Sequence, residues 1–290
     1  MTVCIGMISA EPEQPKGIVV IADKMLTYPG GYEGESDAVT KIVQLVPSTW
    51  VAAFSGATDV SGEVIRRASG PSATSSADDV TKMMDWLRVS YTDVYESRLE
   101  QRALRTWGLD LKAWRDRANV YTAIPESLAN CVTESIAQFR NQWACSLLVC
   151  GFDKEGQPHI FRVDEDGVEL VDSPAFESIG SGGQMATGRL IWEEAAVTEP
   201  LHVVLWRVFD AKAHAELMLG VGYEWDAWIL VENKEPIKVE ERIKTLMDHA
   251  FYEVTKSPFP TKKTEPKEVW SKRLGNWKKE LEEYVRSAIA

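Results

Sequence analysis

Strand-like and helical stretches follow one another in large blocks along the chain, and this order most constrains the fold. Two apolar runs, residues 2–8 and 17–22, flank a polar loop and predict a first hairpin. Residues 40–45 and 50–54 flank a Pro-Ser-Thr turn and predict a second hairpin. Helices and then further strands follow. Such segregated blocks favour antiparallel sheets covered by helices over a wound βαβ sheet.

The rest of the chain continues this alternation. Further strands are predicted over residues 144–152, 159–163, 168–171, 176–179 and 225–231. Helices are predicted over residues 59–68, 80 to about 118, 125–139, 184–196, 201–219 and 238–254, with a terminal helix after the Pro-rich break at 257–266.

The terminal helix carries an apolar seam on a charged background, formed by Trp270, Leu274, Trp277, Leu281 and Tyr284. Such a seam must be buried, so we expect it to pack on the body of the chain or on a neighbouring subunit.

Composition excludes several classes of function. A formal net charge of −12 argues against a general nucleic-acid binder, which needs a basic surface. No apolar stretch reaches 18 residues and no signal peptide is recognisable, so we expect a cytoplasmic protein without a membrane span. Neither the four cysteines nor the four histidines, His159, His202, His214 and His249, have metal-ligand spacing. We therefore expect no metal and no cofactor.

Thr2 directly follows the initiator methionine and opens the first strand-like run. Methionine aminopeptidase readily removes Met1 before a small residue such as threonine. Removal would leave a free amine and a hydroxyl on one residue, and such a residue is both nucleophile and base.

Three further residues fall in an order that suits this chemistry. Asp23 directly follows the second run, Lys41 lies at the start of the third and Gly56 comes just after the fourth. Paired hairpins would bring Asp23 and Lys41 towards Thr2. A lysine ammonium favours the alkoxide of the nucleophile, and a carboxylate holds that lysine in place. The amide of a glycine can approach an oxyanion closely.

The ordered set resembles the proteasome β-type peptidases, a family of N-terminal nucleophile hydrolases that includes the bacterial HslV and Anbu relatives. Carried over by motif, the resemblance implies a catalytic role for Thr2, Asp23 and Lys41 and an oxyanion role for Gly56. The Gly-Ser-Gly turn at residues 180–182 implies a supporting catalytic role for Ser181. Thr27 matches a residue whose backbone contacts an extended peptide.

The resemblance also implies the fold and the function. It implies an α+β fold, namely a four-layer αββα sandwich with two antiparallel sheets, over residues 1–236. Two regions go beyond the family pattern: the helical region over about residues 80–143 is longer than usual and is predicted to be an insertion, and residues 237–290 are extra. We expect residues 237–290 to form a helical C-terminal extension that contacts a neighbour. The implied activity is a threonine endopeptidase that cleaves peptides or unfolded proteins inside a homo-oligomer, a ring or a helical stack, with an ATP-dependent unfoldase as a further partner.

The motifs near the site also depart from the family pattern at two places. The usual Asp-Ser-Arg run is Asp23-Lys24-Met25, and a later Asp and Ser have no clean counterpart in residues 216–222, where Glu216 is the nearest acid. Two alternatives therefore stay open: a catalytically inactive subunit of the same fold, and an amidohydrolase of small amides. A phosphate site at the turn 180–183, before a helix, is physically reasonable but lacks the P-loop Lys-Ser/Thr.

Overall fold

The computed structural model describes residues 2–27, 33–35, 40–116, 125–143, 145–255 and 276–290. The strands are β1 (Cys4–Ser9), β2 (Gly17–Asp23), β3 (Met25–Thr27), β4 (Glu33–Glu35), β5 (Ile42–Val46), β6 (Trp50–Gly56), β7 (Cys145–Phe152), β8 (Pro158–Asp164), β9 (Gly167–Leu170), β10 (Phe176–Ile179), β11 (Trp225–Val231) and β12 (Ile237–Lys238). The α-helices are α1 (Thr58–Ala68), α2 (Pro71–Ser76), α3 (Val80–Leu99), α4 (Leu111–Asp116), α5 (Glu126–Gln142), α6 (Gly183–Trp192), α7 (Leu201–Ala215), α8 (Glu241–Thr255) and α9 (Trp277–Ile289).

Two five-stranded antiparallel sheets form the centre of the molecule. The first sheet has the strand order β10-β1-β2-β11-β12, and the second has the order β5-β6-β7-β8-β9. The two predicted hairpins lie in different sheets, β1–β2 in the first and β5–β6 in the second. Strands β3 and β4 pair separately as a small ribbon.

Alternation of side chains along the strands produces the layers. In β1, Ile5 and Met7 pack in a core with residues of α6, α7, α8 and α9. Cys4 and Ile8 point the other way, into a second core shared with strands of the facing sheet. A third core joins the outer face of the second sheet to α1, α3 and α5. The result is an αββα sandwich, and the predicted fold class is confirmed.

Several element boundaries differ from prediction. The predicted helix over 238–254 begins at Glu241, because Ile237–Lys238 pairs with β11 as an edge strand. Helix α6 ends at Trp192 rather than at 196, since Glu194 has a positive φ of 52° that a helix does not accept. Helix α7 ends at Ala215 rather than at 219, because the residues that follow it form tight turns. The short helix α2 was not predicted.

The described part of the C-terminal seam packs on the chain's own body. Trp277 stacks against Trp206 of α7 with ring centroids 4.4 Å apart, and Leu281 and Val285 are both 2% exposed. Lys234 donates to the carbonyl of Ile289 near the end of the helix. Of the two predicted partners for the seam, the body of the same chain is the one observed; Trp270 and Leu274 lie outside the described residues.

His159 on β8 joins two loops at the end of the second sheet. Its Nδ1 lies 2.7 Å from Asp172 Oδ2 and its Nε2 lies 3.3 Å from Asp153 Oδ2, while the ring stacks on Trp50. Burial acts to lower the pKa of His159, but hydrogen bonds and charge from Asp172 and Asp153 outweigh it. The pKa therefore lies above the ordinary value of 6.5.

We predict that Leu281→Ala lowers the free energy of unfolding by about 2–4 kcal/mol, because it removes a buried side chain that joins α9 to the core. Urea denaturation would measure this. The control is Lys279→Ala on the exposed face of the same helix, for which we expect a change within about 0.5 kcal/mol. Equal midpoints for the two variants would show that the helix adds nothing to stability.

We predict that stability declines as pH rises above 6.5 through the folded pKa of His159. The raised pKa means that the protonated ring stabilises the fold fully below 6.5 and loses this contribution above it. Urea midpoints between pH 5.5 and 8.5, compared with those of His159→Gln, would isolate the effect. A constant difference between the two proteins across this range would contradict the prediction.

Candidate active site

The first sheet brings the start of β1 beside two other strand ends. Cys4 pairs with Ala22 of β2 on one side and with Ile179 of β10 on the other. Continued by one or two residues, this register places Thr2 beside Asp23 and beside the turn that follows β10. Thr2 is 5% exposed.

The Thr2 hydroxyl lies between a carboxylate and an ammonium. Thr2 Oγ1 donates to Asp23 Oδ1 at 3.0 Å, and Lys41 Nζ donates to Thr2 Oγ1. Lys41 Nζ also lies 2.9 Å from Asp23 Oδ1, so the three side chains form a closed triangle. Asp23 and Lys41 are 0% and 4% exposed. The structure thus brings together the three residues that the sequence suggested.

Asp23 is the hub of the arrangement. A buried carboxylate is very costly unless donors surround it. Here it accepts from Thr2 Oγ1, Lys41 Nζ, Val3 N (2.9 Å), Met25 N (3.1 Å) and Gly222 N (3.1 Å). These donors come from both sheets and from the loop before β11, so one side chain ties three parts of the site together.

The turn after β10 holds the Thr2 backbone. Thr2 N lies 3.2 Å from Ser181 Oγ, and Gly182 N donates to the Thr2 carbonyl at 3.1 Å. Gly180 has a φ of +90°, and a Cβ there would lie 2.3 Å from the Thr2 carbonyl oxygen. Glycine is therefore required at position 180. The Ser181 hydroxyl thus lies beside the Thr2 nitrogen.

Gly56 lies at the end of β6, exposed, with a φ of +99°. Two residues earlier, Phe54 N donates to the Lys41 carbonyl at 3.1 Å, and Cys4 Sγ donates to the Phe54 carbonyl at 3.3 Å. These two bonds connect β6 to both Lys41 and β1. Its left-handed φ makes position 56 unfavourable for a residue with a side chain.

Thr27 is the last residue of β3, and this strand begins two residues after Asp23. It pairs with Glu33 in the small ribbon, and its side chain lies outside the described residues. Glu216, the nearest acid in the loop where the family has an Asp, forms an ion pair with the buried Lys212.

Cys4 carries a thiol close to the Thr2 site. Burial raises the pKa of its thiol far above the ordinary range, and the lowering effect of Lys41 is the smaller one. Burial therefore favours the neutral thiol of Cys4, which is a weak nucleophile.

Two other kinds of site, a metal site and a phosphate site, find no support among the described residues. In the described part of the chain, no group of three His, Cys, Asp or Glu side chains could hold a metal ion. At the turn 180–183, Gly182 N and Gly183 N already donate to protein carbonyls, which speaks against a phosphate site there.

Among the described helices, none is both long and apolar enough to cross a membrane.

Sequence reasoning missed the backbone donors to Asp23. Val3 N and Met25 N could have been inferred from the hairpin register, since both residues lie close to Asp23 in the predicted pairing. Gly222 N could not, because it lies 199 positions away from Asp23 and a backbone amide has no residue signature. Lys212, fully buried behind that loop, was also missed.

Comparison with known proteins points to the same family. The proteasome-subunit family model matches residues 112–193. The resemblance to the proteasome-type hydrolases is confirmed. The matched region runs from α4 to the end of α6 and contains Ser181, whereas Thr2, Asp23 and Lys41 lie outside it. A search of curated proteins found no match to the chain.

We predict that Asp23→Asn destabilises the fold by about 3 kcal/mol or more, because it leaves the Lys41 ammonium buried beside a neutral amide. Lys41→Met should cost less, since the Asp23 carboxylate keeps four other donors. Urea denaturation of both variants and of the double variant would give the coupling free energy. We expect the double variant to lose less than the sum of the two single losses. Simple additivity would contradict the paired geometry.

Proposed function

We propose that the protein is a threonine peptidase in which Thr2, exposed as the N-terminal residue by removal of Met1, is the nucleophile. Its hydroxyl would attack the carbonyl carbon of a peptide bond and form an acyl-enzyme, with release of the amine product. Water would then hydrolyse the ester and restore the hydroxyl. The αββα fold and the match to the proteasome-subunit family model support this function.

One observation carries the proposal: the Thr2 hydroxyl sits in direct contact with the ammonium of Lys41. A positive charge at this distance stabilises the developing alkoxide in a site that excludes water. Asp23 balances that charge and fixes the ammonium. A threonine with a purely structural role would not require a buried lysine on its hydroxyl.

The Thr2 amine would serve as the general base. It is part of the same residue as the hydroxyl, and in the neutral form it can accept the hydroxyl proton and later return it to the leaving amine. Ser181 Oγ, 3.2 Å from this nitrogen, would orient it.

Gly56 and Thr27 would handle the substrate. The Gly56 N–H would donate to the oxyanion, at the end of a strand that is bonded to Lys41 two residues earlier. The backbone of β3 at Thr27 would pair with an extended peptide, adding a strand to the ribbon. Unfolded chains and peptides offer such a strand.

We propose that the active form is a cytoplasmic homo-oligomer, a ring or a helical stack, fed by an ATP-dependent unfoldase. Large apolar side chains that are exposed on the single chain support self-association. They are Ile191 (63% exposed), Trp192 (80%), Leu217 (58%) and Leu219 (85%).

The competing function is a catalytically inactive subunit of the same fold. The observation that favours it is the ion pair of Glu216 with Lys212, which holds the nearest acid of the loop away from a catalytic role. A small-amide hydrolase would use the same Thr2 chemistry but would not recognise an extended peptide.

We predict that intact mass and N-terminal sequencing show loss of Met1, and that an electrophilic peptide probe forms an adduct on Thr2. Lys41→Ala should lower the rate of adduct formation about a hundredfold, because it removes the charge that stabilises the alkoxide. The matched control is Lys244→Ala, a buried lysine whose ammonium pairs with Asp226 and Glu241 and which should leave the rate unchanged.

Retained Met1 with no adduct would exclude the peptidase and favour the inactive subunit. An adduct with a small acylating probe, together with indifference to extended peptide aldehydes and boronates, would identify a small-amide enzyme.

A further inference from the structure

The loop between α7 and β11, residues 216–224, contacts the site at two points. Gly222 N donates to Asp23 Oδ2 at 3.1 Å. One residue earlier, Val221 lies against the turn that holds Thr2, since a Cβ on Gly182 would meet Val221 Cγ2 at 2.8 Å. Asp23 and the Thr2 turn therefore both depend on the path of this loop.

Lys212, on the last turn of α7, joins the two ends of that loop. Its side chain is 0% exposed. Its Nζ donates to Glu216 Oε1 at the start of the loop and to the Tyr223 carbonyl near its end, at 2.6 Å. Tyr223 is the residue next to Gly222, so the tether acts one residue away from the donor to Asp23.

A buried ammonium strongly prefers a loop path that supplies its acceptors. Losing one of these acceptors would leave part of the charge unpaired in a buried place, so alternative paths of residues 216–224 are disfavoured. The Tyr223 carbonyl has this acceptor role in the observed path. The position of the Gly222 amide is thus coupled to the charge of Lys212.

We propose that Lys212 is a positioning residue for the Thr2 site: it fixes the loop 216–224 so that Gly222 N–H stays on Asp23 and Val221 stays against the Thr2 turn. The inference rests on the proposed function of Thr2. Lys212 itself contacts no reacting atom in this proposal and acts through Asp23, which in turn orients Lys41 and the nucleophile.

The test is Lys212→Met in the full-length protein, with the electrophilic peptide probe. We expect the maximal rate of adduct formation on Thr2 to fall at least tenfold, while the probe concentration at half-maximal rate is unchanged, because the nucleophile is misplaced and the peptide site is not. Hydrogen exchange should become faster at the amide of Gly222.

The matched control is Lys244→Met, which removes a similarly buried lysine from α8. An equal loss of rate in both variants, or a loss expressed only in the half-saturating concentration, would overturn the inference. Should Lys212→Met fail to fold, the double variant with Glu216→Met removes both charges and leaves no unpaired ion. The same tenfold loss is expected there, and a normal rate would overturn the inference.

The two proposals fail in different ways. No adduct on the unsubstituted protein would overturn the proposed function and this inference with it. A reactive unsubstituted protein with an equally reactive Lys212→Met variant would overturn the inference alone.

Discussion

The Asp23 carboxylate is the interaction on which the rest of the site depends. A fully buried negative charge is tolerated only when donors converge on it, and here five of them do. The five donors lie on four segments: the residues before β1, the start of β3, the residue before β5 and the loop before β11. The carboxylate therefore fixes the relative positions of these segments as well as the protonated lysine beside Thr2. Both the stability of the fold and the chemistry proposed for Thr2 therefore require a carboxylate at position 23.

The layered architecture explains why these segments meet. Asp23 ends β2 in the first sheet, and Lys41 precedes β5 in the second, so their ion pair crosses the interface between the two sheets. Apolar side chains such as Ile18 and Leu148 fill that interface elsewhere. The Asp23–Lys41 pair is stable at the edge of this interface because the two charges neutralise each other and the surrounding amides supply the remaining hydrogen bonds.

The proximity of Asp23 to Thr2 was predicted from the sequence, because hairpin pairing fixes register over short distances. The sandwich was implied by the family resemblance, and the approach of Lys41 depends on how the second sheet packs on the first. The start of α8 was predicted wrongly: a two-residue edge strand has no periodicity to reveal it. The Gly222 donor and the Lys212 tether were not predictable either. Both depend on where a loop passes after a long separation in sequence, and in both contacts a backbone group, the Gly222 amide or the Tyr223 carbonyl, is one partner.

Thr2 and Cys4 lie close together in the sequence and in the fold, but their environments favour different chemistry: the Thr2 hydroxyl contacts Lys41, whereas the thiol of Cys4 lies between the sheets. Cys4 is 0% exposed between the sheets, and loss of solvation raises its pKa more than the charge of Lys41 lowers it. A thiol is intrinsically the stronger nucleophile, yet only its thiolate reacts, and that form is suppressed here. The threonine hydroxyl needs no separate ionised state before attack, because its proton can leave as the bond forms. In the proposed mechanism, Lys41 thus assists the threonine that it touches but does not activate the thiol of Cys4.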